Sequence, residues 1–133
     1  MSSSQEEADE LNRLSNEAIG AAIEVHRQLG PGLLESAYER CLIWELRQRG
    51  LSVETQVPVP IRYKDLLFDE GYRIDLLVEG KLVLELKSID KLLPIHTAQV
   101  LTYLKMTGLK MALLLNFNIE LMRSGIKRVV NEF

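Results

Sequence analysis

The chain has a single cysteine, Cys41, among its 133 residues. That excludes an internal disulfide and a cysteine-rich zinc site. Cys41 falls in a helical apolar pattern and reads as a core thiol rather than a nucleophile. Aromatic residues make up only 6% of the chain. No apolar run approaches the roughly 18 residues that a membrane helix requires. The first ten residues, MSSSQEEADE, have neither the basic start nor the apolar stretch of a secretory signal. The expected location is cytoplasmic, with no membrane partner. An excess of positive charge is also missing. The net charge is −3, which argues against strong nonspecific binding to nucleic acid. The charge is unevenly placed. Glu6, Glu7, Asp9 and Glu10 give residues 1–10 a charge of −4, so the remainder stands at +1.

What is present is the composition of an ordinary globular protein, 47% hydrophobic and 26% charged, enough for one core in one domain. The expected organisation is a flexible acidic tail at 1–10 and a single domain at 11–133. Leu11, Leu14, Ala18, Ala22, Val25 and Leu29 recur at helical spacing, and Gly30-Pro31-Gly32 ends that helix. A second helix is predicted from about Leu33 to Arg49, closed by Gly50. Residues 53–61 alternate with period two, and their prolines predict an edge strand. Lys64-Asp65 reads as a turn before a short apolar piece at 66–68. Tyr72 to Val78 and Leu82 to Lys87 read as strands joined at Glu79-Gly80-Lys81. Pro94 opens a helix that stops at Gly108. Met111 to Asn116 reads as a central strand covered on both faces, and Gly125 to Val130 as a last strand. The order α-α-β-β-β-α-β-β describes an α/β fold, a mixed central sheet flanked by helices.

The residues with chemical potential gather around the two middle strands. In Leu82-Val83-Leu84-Glu85-Leu86-Lys87 the leucines share one face, and Val83, Glu85 and Lys87 share the other. Most such Glu–Lys pairs are solvated surface features. Asp75, however, is a lone acid inside the apolar run Ile74-Asp75-Leu76-Leu77-Val78, where an unpaired carboxylate is costly. A two-residue turn would point Asp75 at the core. A three-residue loop at 79–81, with Gly80 supplying an unusual backbone angle, sets Asp75 opposite Glu85. Two adjacent carboxylates require a proton or a cation between them, and the cation is either Lys87 or a hard divalent metal. Gln99 and Tyr103 lie four apart on one helical face. His96 reads more readily as structural than as a ligand, and Tyr38 as a core or rim aromatic. Glu35 lies in the first turn of its helix, where an acid also favours the dipole.

Together, Asp75, Glu85-Leu86-Lys87 and Gln99-x-x-x-Tyr103 resemble the PD-(D/E)XK nuclease superfamily, the last element resembling its RecB-like branch. Gly32-x-x-Glu35-x-x-Tyr38, Gln99–Leu104 and Leu114–Phe117 resemble the GxxExxY protein family within it. Ile74 stands where the superfamily pattern carries proline. The resemblance implies a restriction-endonuclease-like fold with its cleft at the hairpin. It implies that Glu35, Asp75, Glu85 and the Leu86 carbonyl hold Mg²⁺ or Mn²⁺, that Lys87 orients the attacking water or stabilises the transition state, and that Gln99 and Tyr103 position the water, the metal shell or the strand. The expected function is metal-dependent hydrolysis of nucleic acid, DNA before RNA. The alternative is a nuclease fold that binds nucleic acid or a protein without cutting. A third reading is an oligomerisation domain. A homodimer is compatible with all three.

Overall fold

Apolar side chains divide between the two faces of one sheet, and that division places every element. The computed structural model describes residues 3–131. Two helices come first, α1 (Ser3–Leu29) and α2 (Glu35–Gln48). Five strands follow: β1 (Val53–Pro58), β2 (Ile61–Tyr63), β3 (Leu66–Phe68), β4 (Arg73–Val78) and β5 (Leu82–Lys87). Then come α3 (Pro94–Thr107), β6 (Met111–Asn116), a 3-10 turn (Met122–Gly125) and β7 (Ile126–Val130). The main sheet has the order β1-β4-β5-β6-β7. Only β5 and β6 are parallel, and α3 is the crossover that a parallel pair demands.

Leu76, Val78, Leu82, Leu84, Leu86, Met111, Leu113 and Leu115 pack beneath α1 and α2. Leu77, Val83, Ala112 and Leu114 pack beneath Val100, Tyr103 and Leu104 of α3. All six residues of β6 are buried, which fits the continuous apolar run expected of a strand covered on both faces.

Several details differ from the sequence reading. Helix α1 begins at Ser3 rather than near Leu11. Pairs at helical spacing support this extra length: Gln5 Nε2 donates to Asp9 at 2.9 Å, and Arg13 binds Glu10 at 2.7 Å. Glu7 is paired with Lys110 across the fold. Residues 1–2 of the expected tail, and 132–133 at the other end, lie outside the described residues. The alternating run at 53–61 is not one strand. It stops at Pro58, because Pro58 and Pro60 have no N–H to continue a ladder. Ile61 begins a separate antiparallel hairpin, β2–β3, that turns at Lys64-Asp65 and adds two strands to the expected order. The edge position of β1 is as expected. Cys41 is only half-buried, packed against the core rather than within it.

Tyr38 anchors the link between α1 and α2. It is fully buried and stacks on Phe117 with ring centroids 4.6 Å apart. Its hydroxyl donates to the Gly30 carbonyl at 2.6 Å and accepts from the Leu33 N–H at 3.1 Å. It thereby holds the Gly30-Pro31-Gly32 break that delivers Glu35 to the head of α2. Tyr38→Phe leaves both backbone groups without that partner. The expected cost is about 1–3 kcal/mol, read as a lower melting temperature. An unchanged melting temperature would show that water replaces the hydroxyl at no cost.

Candidate active site

The register at the β4–β5 hairpin decides where the acids meet. Val78 pairs with Leu82, Leu77 with Val83 and Leu76 with Leu84. Three residues, Glu79-Gly80-Lys81, make the loop, as the sequence reading required. The Lys81 N–H closes the turn on the Val78 carbonyl at 3.0 Å. Glu79 and Gly80 both have positive φ, 54° and 66°, as such a turn requires. Glu79 tolerates this because its carboxylate accepts from the Ser52 N–H at 2.7 Å and from its hydroxyl at 2.6 Å.

Continued by one step, that register sets Asp75 beside Glu85. The regular strand pairing stops at Leu76 and Leu84, and side chains take over the ladder's hydrogen bonds. The Leu86 N–H donates to Asp75 Oδ2 at 2.9 Å, and the Asp75 N–H donates to Glu85 Oε1 at 3.3 Å. The carboxylates thus satisfy backbone donors that the splayed strands would otherwise bury unpaired. Glu85 is 6% exposed and Asp75 half-buried. Burial first, and then the negative charge of Asp75, push the Glu85 carboxyl up to about 9. At neutral pH the pair therefore retains a proton, as two adjacent carboxylates without a cation do.

The other expected residues take graded positions. Glu35 heads α2, half-buried, and burial and then Asp75 raise its carboxyl, while Lys87 acts against the rise. Glu35 and Lys87 thus share the electrostatic field of the pair. Among the described residues, no three His, Cys, Asp or Glu side chains are drawn into a closed ligand set. The acids form a tight pair with Glu35 as a charged neighbour. All the side-chain donors are oxygen, which suits a hard divalent ion. Tyr103 is 7% exposed, and its hydroxyl is shifted upward by burial and then by Glu85, Tyr72 and Asp75. Gln99, one turn earlier, is exposed. His96 accepts the Leu93 N–H on Nδ1 at 2.9 Å and so caps α3, the structural role expected of it.

The sequence reading missed three residues at the site. Glu39 follows Glu35 at the i,i+4 spacing that puts two side chains on one helical face, a signal that was available. Its carboxyl is raised by burial and by Asp75. Gln56 lies on β1 in the gap of the β1–β4 register, where Thr55 pairs with Leu76 and Val57 with Ile74. It has a φ of 52°, and its amide donates to Glu39 Oε1 at 3.1 Å. A non-glycine residue in this region stores local strain, and no sequence pattern announces it. Asn116, buried at 2%, lies beside Lys87 in the parallel β5–β6 pair. Its amide accepts from the Ile89 N–H at 3.1 Å and donates to the Ile89 carbonyl at 3.0 Å. It fixes the chain directly after Lys87.

A family model described as the PD-(D/E)XK nuclease superfamily matches residues 12–129. The chain belongs to this superfamily. The match spans both layers and the whole hairpin, so the α/β fold and its acidic pair lie inside the matched region. Membership of the PD-(D/E)XK superfamily associates the chain with nuclease chemistry, divalent metal ions and nucleic acid as substrate. No curated protein and no solved structure gave a match. No helix among the described residues is long and apolar enough to cross a membrane.

Proposed function

We propose that the protein is a cytoplasmic metal-dependent nuclease that hydrolyses phosphodiesters of DNA, with RNA the second choice. The observation that carries this reading is the cross-bonded pair Asp75 and Glu85, with Lys87 on the same face of β5 two residues on. Residues 11–133 are read as the single nuclease domain and 1–10 as its acidic extension. The GxxExxY and RecB-like resemblances refine the same reading.

Asp75, Glu85, Glu35 and the Leu86 carbonyl would hold Mg²⁺ or Mn²⁺. When bound, the ion supplies activation of a water and neutralises charge on the scissile phosphate. Lys87 brings a positive charge to the phosphate oxygens as charge develops there. Tyr103 is buried within the electrostatic field of Glu85 and Asp75, and its hydroxyl, shifted upward, stays protonated and can donate a hydrogen bond to a phosphate oxygen. Gln99, exposed one turn away, is assigned to the flanking strand.

The test is cleavage of labelled single- and double-stranded DNA and RNA with Mg²⁺ or Mn²⁺, against EDTA. Metal-dependent cutting is expected. Lys87→Ala should retain metal and lose on the order of 10²-fold in turnover, the scale for one electrostatic donor. Unchanged turnover removes Lys87 from the chemistry. A parent chain that binds metal and nucleic acid but cuts nothing is a binding module.

A further inference from the structure

Tyr72 is 42% exposed, and it lies against the site rather than on open surface. Its ring is tilted on that of buried Tyr103, with centroids 6.0 Å apart and planes at 53°. Tyr103 in turn stands in the field of Glu85 and Asp75. The backbone beneath Tyr72 is held from two sides. Its carbonyl accepts from the Val59 N–H at 2.9 Å and from Arg73 Nη1 at 2.8 Å. Asp69 accepts from the Gly71 N–H at 2.8 Å and binds Arg73 at 3.0 Å, which fixes the loop before it. An exposed aromatic on so constrained a backbone is a rigid flat surface that loses little freedom on binding.

The surroundings suit a nucleic-acid strand. The β2–β3 hairpin rests on α3 where the Arg62 N–H meets the Met106 sulfur at 3.5 Å, one turn beyond Tyr103. It presents Arg62, a 62% exposed Tyr63 and Lys64, whose ammonium lies 5.3 Å from the Tyr63 ring. Basic groups interleaved with aromatic faces are what binds single strands. Tyr72 precedes Asp75 by three residues, roughly 10 Å along an extended chain. That is the scale separating a base from the phosphates of its own nucleotide step. A duplex offers Tyr72 no free base face, and the overall charge of −3 gives little long-range hold on a duplex backbone.

We propose that Tyr72, braced by Tyr103, is a stacking platform for an unpaired base of the strand whose phosphate reaches Asp75 and Glu85. This rests on the nuclease reading and names the substrate class, single-stranded or locally unpaired nucleic acid. Tyr72 is the residue that selects it. No covalent step is involved.

The test is fluorescence anisotropy with a labelled oligothymidylate and a blunt duplex of equal length, in Ca²⁺, with parent, Tyr72→Ala and Tyr72→Phe. Tyr72→Ala should weaken single-strand binding about tenfold, within the range for one lost stacked base. It should leave duplex binding unchanged, and Tyr72→Phe should bind like the parent. Scanning an abasic site along the oligothymidylate adds a cycle. At one position the parent should lose about tenfold, whereas Tyr72→Ala should lose almost nothing further, because the same contact is already gone. Equal weakening toward single strand and duplex, or additive losses at every position, would overturn the platform. The nuclease reading fails separately. Absence of cutting with Tyr72-dependent binding supports the platform and sinks the nuclease, whereas metal-dependent cutting with binding indifferent to Tyr72 does the reverse.

Discussion

Asp75→Asn and Glu85→Gln are each expected to lower metal-dependent cleavage by on the order of 10³-fold or more, without unfolding the protein. The amides preserve shape and can still accept from the Leu86 and Asp75 N–H groups that the acids serve. They lack the negative charge that a hard divalent ion requires. Alanine is the poorer test, because it also removes the hydrogen bonds that hold the splayed ends of β4 and β5. The measurement is single-turnover cleavage at saturating Mg²⁺ and again at Mn²⁺, beside a thermal melt of each variant. Folded variants that cut within about tenfold of the parent would mean that the pair is structural, whatever the superfamily. Loss in both, in variants that melt no lower than the parent, would tie the chemistry to the carboxylates themselves. Glu35→Gln is the internal comparison. It sits outside the cross-bonded pair, so a smaller loss there would separate a shared ligand from a neighbouring charge.

The middle of the site was legible because strand alternation and loop length are arithmetic. Once Glu79-Gly80-Lys81 is a three-residue loop, Asp75 must face Glu85, and a two-residue turn would have turned it inward. The leucines of β5 and the apolar run of β6 fixed which elements lie inside. The periphery was hidden for separate physical reasons. Helix α1 reaches back to Ser3 through polar pairs such as Glu10–Arg13, which leave no apolar period to detect. Gln56 enters through a positive φ at a break in strand pairing and through a bond to Glu39 on another element, which no local pattern announces. Residues 61–68 are too short to show a period, and their apolar side chains point partly to solvent, so the β2–β3 hairpin could not be told from a loop. Tyr72 looked like the first residue of a strand. Its importance lies in a contact with a helix thirty residues on, and composition carries no trace of that.

The second large effect concerns pH. Glu85 ordinarily titrates near 4.5 and is pushed up to about 9 in the fold, by burial and by Asp75. Below the ordinary value it is neutral whether the chain is folded or not, and it costs nothing. As pH rises past that value the unfolded chain releases the proton and the folded chain keeps it. Stability without metal therefore falls as pH climbs, by at most about 1.4 kcal/mol per unit for one such group, and levels off near 9. Glu35 and Glu39 are raised in the same direction and steepen the fall. A divalent ion reverses the balance, because it binds the carboxylate and must displace the proton. Its affinity should rise about tenfold per pH unit, hence about a hundredfold from pH 6 to pH 8. Melting in EDTA and calorimetric titration with Mn²⁺ across that range read both trends. Glu85→Gln should melt higher than the parent in EDTA at pH 8, with a flatter profile, and should lose both the affinity and its slope. Affinity in the parent that is flat with pH would mean that Glu85 is not the group giving way to the metal. A Glu85→Gln variant that melts no higher than the parent would mean that the buried pair carries no proton. Those two failures are independent, because the first concerns what the site binds and the second what the fold tolerates while it is empty. A site that is strained when charged and relieved by a cation makes the metal part of the stability of β4 and β5. The ion should therefore stabilise the hairpin most at alkaline pH, where the free protein is weakest.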